Sequence, residues 1–269
     1  MKSVVIISCW LLVFTIASGQ ELYIFTEPAS NMPSNSIGLK VTGRFAGQVN
    51  GYAARRIIPE VMFGINKNWM LHVSTSVSNY YQKQMKLESG KVYAKYRFYS
   101  NDDIHKHFRL AAFADASLTR NPYRYMDASL DGDNNGAQVG LIATQLLNKL
   151  AISGSASYLN VFNNNKSELP RETFAYNMIN YSLSAGYLLL PRKYVSYNQT
   201  NVNVYLEMLG MRALDKDHYS IDLAPALQFI FNSNTKLNVG YRFQVSGNMN
   251  RLTQQQWQVA MEHTLFNMF

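Results

Sequence analysis

From Ser36 to the end of the chain, apolar and polar residues alternate with a period of two. That is the pattern of strands with one face toward hydrocarbon or a core and the other toward polar surroundings. In the first run Ile37, Leu39, Val41 and Phe45 share one face and Lys40, Thr42 and Arg44 the other. A helix would set Leu39 and Lys40 on neighbouring sides, so the spacing predicts a strand. The next run places Ile57, Val61, Phe63 and Ile65 against Glu60, Met62 and Gly64, then turns at Asn66, Lys67 and Asn68. It returns with Trp69, Leu71, Val73 and Val77 opposite His72, Ser74, Ser76 and Ser78, which predicts a hairpin.

The pattern continues to the C-terminus. Val92, Ala94, Tyr96 and Phe98 oppose Lys91, Tyr93, Lys95 and Arg97, and Phe108, Leu110, Ala112 and Ala114 oppose Arg109 and Asp115. Val139, Leu141 and Ala143 lead to a tight turn at Asn148 and Lys149, then to Leu150, Ile152, Ala156 and Tyr158 against Ser153, Ser155 and Ser157. An eighth run carries Ile179 to Leu189, and a ninth sets Val202, Val204, Leu206 and Met208 against Asn201, Asn203, Tyr205 and Glu207. A tenth alternates Ile221, Leu223, Leu227, Phe229 and Phe231 with Asp222, Ala224 and Gln228; Pro225 on its apolar face predicts a lost ladder bond and a bulge. The last two runs are centred on Leu237 to Val245, with Lys236, Asn238, Arg242 and Gln244 opposite, and on Trp257, Val259, Met261, Leu265 and Phe269, with Gln258, Glu262 and Thr264 opposite. Polar loops are expected at 80–90, 100–107, 120–135 and 163–172, the third being the longest.

These runs predict an all-β fold, a transmembrane antiparallel barrel of about 12 strands over residues 36–269. The polar face looks interior. It carries eight basic residues (Lys40, Arg44, Lys91, Lys95, Arg97, Arg109, Lys236, Arg242) and five acidic ones (Glu60, Asp115, Glu207, Asp222, Glu262), which a wet or ion-paired lumen tolerates and a dry core does not. The other face is aliphatic in mid-strand and aromatic near strand ends, at Phe45, Trp69, Phe98, Phe231 and Trp257, as membrane girdles are. An even strand number puts both chain ends on one side, with short turns periplasmic and long loops outside.

Upstream, Lys2, the apolar stretch from Val4 to Ile16 and the small residues Ala17, Ser18 and Gly19 predict a signal peptide at 1–19, cleaved after Gly19. Residues 20–35 lack alternation and are expected to form a periplasmic N-terminal segment, with entry into the barrel left open. The single cysteine, Cys9, lies in the leader, which excludes disulfides, thiol ligands and a thiol nucleophile from the exported chain. Charged residues make up 16% of the chain against about 25% in soluble proteins, while 18 tyrosines and 14 phenylalanines are present, a balance suited to lipid contact. The net charge of +8 lacks a concentrated basic run, so nucleic acid is not an expected partner.

The terminal strand, with Trp257, Val259, Met261 and Leu265 at alternate positions and Phe269 at the end, resembles the C-terminal signal of Gram-negative outer-membrane proteins; His263 and Asn267 depart from the pattern. The resemblance implies recognition by the barrel assembly machinery and residence among outer-membrane lipid. The stretch FTEPASNMPSNSIGLKVTGRF also resembles uncharacterised outer-membrane barrels of the Bacteroidetes lineage. That likeness implies location and fold, and no activity.

Candidate chemistry is sparse. His72 and Ser74 share the polar face of the third strand, which would suit a serine hydrolase only if they met the lipid interface. His105 and His107, near Asp102 and Asp103, are expected in a turn without a recognised ligand spacing. Asp131, Asp133 and Asn135, with Gly132 and Gly136, resemble a calcium loop that lacks its closing glutamate, so an ordinary external loop is expected. The methionines are scattered and read as filler and lipid contact. No catalytic residue, metal site or cofactor is expected. What remains is the lumen: if open, its basic excess favours passage or binding of a small anionic solute; if closed, the same residues pair and brace a solid barrel. A structural or assembly-partner barrel is therefore the alternative, and an interfacial lipid enzyme a distant third.

Overall fold

A computed structural model describes residues 23–49, 51–103, 106–162, 174–193 and 198–269. The stretch expected to be a signal peptide, His105 and the loop expected at 163–172 lie outside them. Among the described residues there is no helix. Twelve strands run β1 (Ser36–Val49), β2 (Tyr52–Gly64), β3 (Trp69–Ser78), β4 (Lys86–Asp103), β5 (Lys106–Thr119) and β6 (Gly136–Leu147), then β7 (Leu150–Val161), β8 (Asn177–Leu190), β9 (Asn201–Ala213), β10 (Tyr219–Phe231), β11 (Thr235–Gly247) and β12 (Gln255–Leu265). Each pairs antiparallel with its sequence neighbours, and β1 closes on β12 from Ile37↔Leu265 to Ala46↔Gln256. The result is a closed twelve-stranded barrel whose terminal rim holds the start of β1, the end of β12 and the connection from β8 to β9, and whose opposite, loop rim holds the long connections β5–β6 and β7–β8.

Polarity decides which face meets lipid. Leu141 and Met261 are each 60% exposed on the outside, whereas Lys95 and Glu207 are 0% exposed within. A soluble protein has the reverse distribution. Outer aromatics gather at both rims: Trp69 packs at a tilt against Tyr96 near the terminal rim at 4.7 Å, and Trp257 against Tyr241 near the loop rim at 4.8 Å.

Strand ends differ from the sequence reading. β2 begins at Tyr52, and Gly51 just before it has φ 81°. β4 spans Lys86–Asp103, so the loops expected at 80–90 and 100–107 both shrink. Barrel rims stand in water, where polar residues extend a ladder without alternating, so periodicity understates strand length there. The bulge expected at Pro225 is absent: the register from Leu223↔Phe243 to Ala226↔Gly240 has no slip, and the shift lies at Ile221/Asp222. Facing lipid, Pro225 still pairs with Leu206 across the β9 ladder. β12 ends at Leu265; Asn267 turns the chain at φ 55°, and Phe269 lies beyond the strand, exposed.

Candidate functional site

The inward parity of the strands brings the thirteen charged positions predicted from the sequence to the lumen, and most of the cations there are ion-paired. Lys40 lies 3.4 Å from Glu60, Lys91 3.0 Å from Asp115, and Lys236 2.5 Å from Glu262. Arg242 pairs with Asp222. Trp257, Val259, Met261 and Leu265 share the outer face of β12.

The remaining partners come from outside the strand pattern. Residues 120–135 fold into the loop rim, anchored by Tyr123 stacked on Phe174 at 4.4 Å within an apolar cluster that includes Leu130, Leu159 and Met178. This loop inserts three carboxylates among the lumen cations. Asp131 accepts from Arg44 at 2.7 Å and Lys91 at 2.8 Å. Asp133 accepts a bidentate pair from Arg56 at 2.8 and 2.5 Å. Asp127 meets Arg251 at 3.2 Å, and Arg251 also reaches Asp222 at 2.7 Å. The Asp131 and Asp133 carboxylates of the loop expected there thus serve different cations. Although burial works the other way, Lys91 and Arg44 hold the Asp131 carboxyl well below the usual range.

Arg56 is the centre of the loop-rim network. It is 1% exposed, bonds Glu88 at 2.9 Å and lies 4.3 Å from the Tyr80 ring. Burial pushes the Tyr80 hydroxyl up to about 12, against the pull of Arg56. Gly132, at φ 126°, passes so close that a Cβ there would sit 2.9 Å from Glu88 Oε2 and 3.0 Å from Arg56 Cζ. Truncating Arg56 would leave the buried Glu88 carboxylate and the part-buried Asp133 without their cation, a class of change costing up to about 3–5 kcal/mol.

Residues 23–34 enter from the terminal rim and cross the lumen. Glu207 Oε1 accepts the backbone N–H of Ile24 at 2.8 Å and of Phe25 at 3.0 Å, and Oε2 accepts Thr26 Oγ1 at 2.6 Å. Lys95 Nζ donates to Pro28 O at 2.7 Å and Ser30 O at 2.8 Å, and meets Glu27 at 3.3 Å. Lys95 outweighs burial and lowers the Glu27 carboxyl below its ordinary value. The Ala29 N–H donates to Thr144 Oγ1 at 2.9 Å, and Gln258 donates to Ile24 O at 2.8 Å. Around the segment a cavity of about 320 Å³ opens at the terminal rim. A second of about 260 Å³ adjoins Thr26, Lys91 and Asp115. At the loop rim a cavity of about 60 Å³ lies beside Arg44, Asp127 and Asp133.

Placed side by side, the sequence-level count of basic and acidic lumen residues changes. Arg56 and Arg251 join the eight, while Glu27, Glu88, Asp127, Asp131 and Asp133 join the five, so the two signs balance. Arg97, Arg109, Lys95 and Lys91 do not form an unpaired wall. Arg109 reaches Asp102 at 3.0 Å and Ser30, and Lys91 bridges Asp115 and Asp131. Arg56 was detectable by parity, since it shares a face with Glu60 and Met62. Glu88 was hidden by the register shift at Ser76/Val77, which breaks its parity with Lys91.

His72 and Ser74 face the lumen, buried, with His72 Nδ1 3.7 Å from Glu60. They do not reach the lipid interface that an interfacial hydrolase needs. His107 sits on β5, not in a turn, with Nδ1 3.1 Å from Asp102. Among the described residues no group of three or more His, Cys, Asp or Glu is placed to hold a metal ion.

The fold is shared with two outer-membrane barrels at low identity. The COG4313 outer membrane channel from Pseudomonas putida F1 superimposes with TM-score 0.60 at 10% identity, covering 90% of this chain and all of that one. The KdgM porin superimposes with TM-score 0.50 at 12% identity, covering 85% of this chain and 98% of that one. No protein-family model matches the chain, nor does any curated protein. The fold is therefore a porin-like outer-membrane barrel.

Proposed function

We propose that this chain resides in the outer membrane and binds and passes a small anionic solute. The observation that carries the reading is the cavity at the terminal rim. Lys40, Lys67, Arg97, Arg109 and Lys236 line it, against Glu27 and Glu262. Glu60 and Asp102 behind Lys40 and Arg109 offset part of that charge. Five cations against these four carboxylates leave a net positive field there, and such a patch sets pore selectivity. The terminal rim is the periplasmic side in this reading, with the leader directing export and the β12 apolar face serving the barrel assembly machinery.

The density of ion pairs favours a second reading, a non-conducting barrel braced from within. Planar-bilayer recording separates the two. The first expects openings with anions preferred over cations, and expects Lys67→Glu with Arg97→Glu to lower that preference several-fold. A protein silent at all voltages, even when its N-terminal segment is loosened, is the brace.

A further inference from the structure

We propose that the lumen wall is a receptor groove for a bent peptide segment, filled by the chain's own residues 24–30, and that withdrawal of this segment opens the barrel. The inference deepens the pore reading and rests on it for the consequence of withdrawal, though not for the groove itself.

The groove is built for backbone. Glu207, 0% exposed, pairs with no cation among the described residues; its carboxylate is met by two successive N–H groups and a hydroxyl of the segment, with Ser184 beside them. Successive N–H groups converging on one anion form a backbone nest. Lys95 answers with the opposite polarity, donating to two segment carbonyls. Thr144 and Gln258 take one further N–H and one further C=O. Shape agrees with chemistry: a Cβ on Gly240 would stand 2.6 Å from the Phe25 ring, and one on Gly64 2.1 Å from Pro33 O. Gly240 thus makes room for the segment, and Gly64 for the residues that follow it.

The same contacts make the segment detachable. Residues 24–30 form no strand and join no ladder, so the twelve-strand ring is complete without them. Their apolar contacts are small: Tyr23, Ile24 and Phe25 against Leu146, Ala151, Tyr205 and Ala226, and Ala29 against Ala111 and Ile142. Cavities of about 320 and 260 Å³ flank the segment and give it space to shift. Water entering an emptied lumen would hydrate Glu207 and Lys95, replacing the polar contacts they lose.

Cysteine chemistry on the full-length exported protein tests this cleanly, because Cys9, the only cysteine, lies in the leader. Ala29 is 0% exposed, so a cysteine there reacts with a membrane-impermeant maleimide only when the segment withdraws. Relative to Ala29→Cys alone, adding Glu207→Gln is expected to speed labelling about tenfold, since hydrogen bonds to a charged group are weakened. Adding Thr26→Val is expected to speed it about threefold to tenfold, and this change lies on the segment, where it cannot unfold the barrel. An oxidised Ala29→Cys/Thr144→Cys pair should abolish bilayer openings and reduction should restore them. Labelling that rises with conductance supports both readings, and labelling that rises in a silent protein supports the groove and removes the pore. Labelling equal in all variants, or openings that persist through the oxidised pair, overturns the proposal whatever the protein conducts.

Discussion

Asp127 carries a pH dependence that its neighbours do not share. Burial pushes its carboxyl from the ordinary 3.8 to about 6, with Asp133 adding to the shift and Arg251 and Arg242 opposing it. A carboxyl with a raised value binds a proton more readily docked than undocked, so docking of the loop at residues 120–135 strengthens as pH falls from about 6 toward 4. Asp131, held low by Lys91 and Arg44, contributes stability that is kept throughout that window and lost only at lower pH. Asp127→Asn, always neutral, should therefore slow tryptic cleavage after Arg124 several-fold relative to wild type at pH 7.5, and the gap should have narrowed by about half at pH 5, closing only toward pH 4. Equal rates at pH 7.5 would show that the carboxyl is not strained by burial. Residues of this kind were not legible in the sequence. The thirteen strand charges follow from parity alone, but Asp127, Asp131, Asp133 and Arg251 sit in connections with no period, and their role depends on where the loop folds back.

The strands were largely legible, because a face in hydrocarbon and a face in a polar lumen leave an alternation that survives single exceptions. Register was less so. The slip at Ser76/Val77 re-aims Glu88 inward toward Arg56, and no composition signal marks it. The lipid face also predicts depth-dependent costs. Leu141 is 60% exposed near the middle of β6, whereas Leu118, 72% exposed, is next to the last residue of β5 at the loop rim. Leu141→Arg should lower folding stability in lipid vesicles by about 2–4 kcal/mol, and Leu118→Arg by about 0–1 kcal/mol. Urea titration of both variants measures the difference. Similar costs at the two sites would mean that the belt does not lie where the aromatic pairs at Trp69 and Trp257 place it.

At the scale of the molecule, closure and occlusion are separate properties. Closure belongs to the ring: β1 meets β12 through ten registered pairs, and among the described residues each strand has two partners. No edge is left to fray, so unfolding must break a complete ring of ladders at once. Occlusion belongs to residues 23–34 and the loop at 120–135, which hold to the wall through side chains and add nothing to the ring. The sequence made closure readable and left occlusion open, because a segment without alternation says nothing about where it docks. The separation predicts that the protein extracted in mild detergent migrates compactly in unheated SDS gels and shifts to its full-length mobility only after boiling. Thr26→Val should keep that shift intact while loosening the segment. Loss of heat-modifiability in Thr26→Val would tie the segment to the stability of the ring, and a wild-type protein that migrates identically before and after boiling would contradict the closed barrel itself.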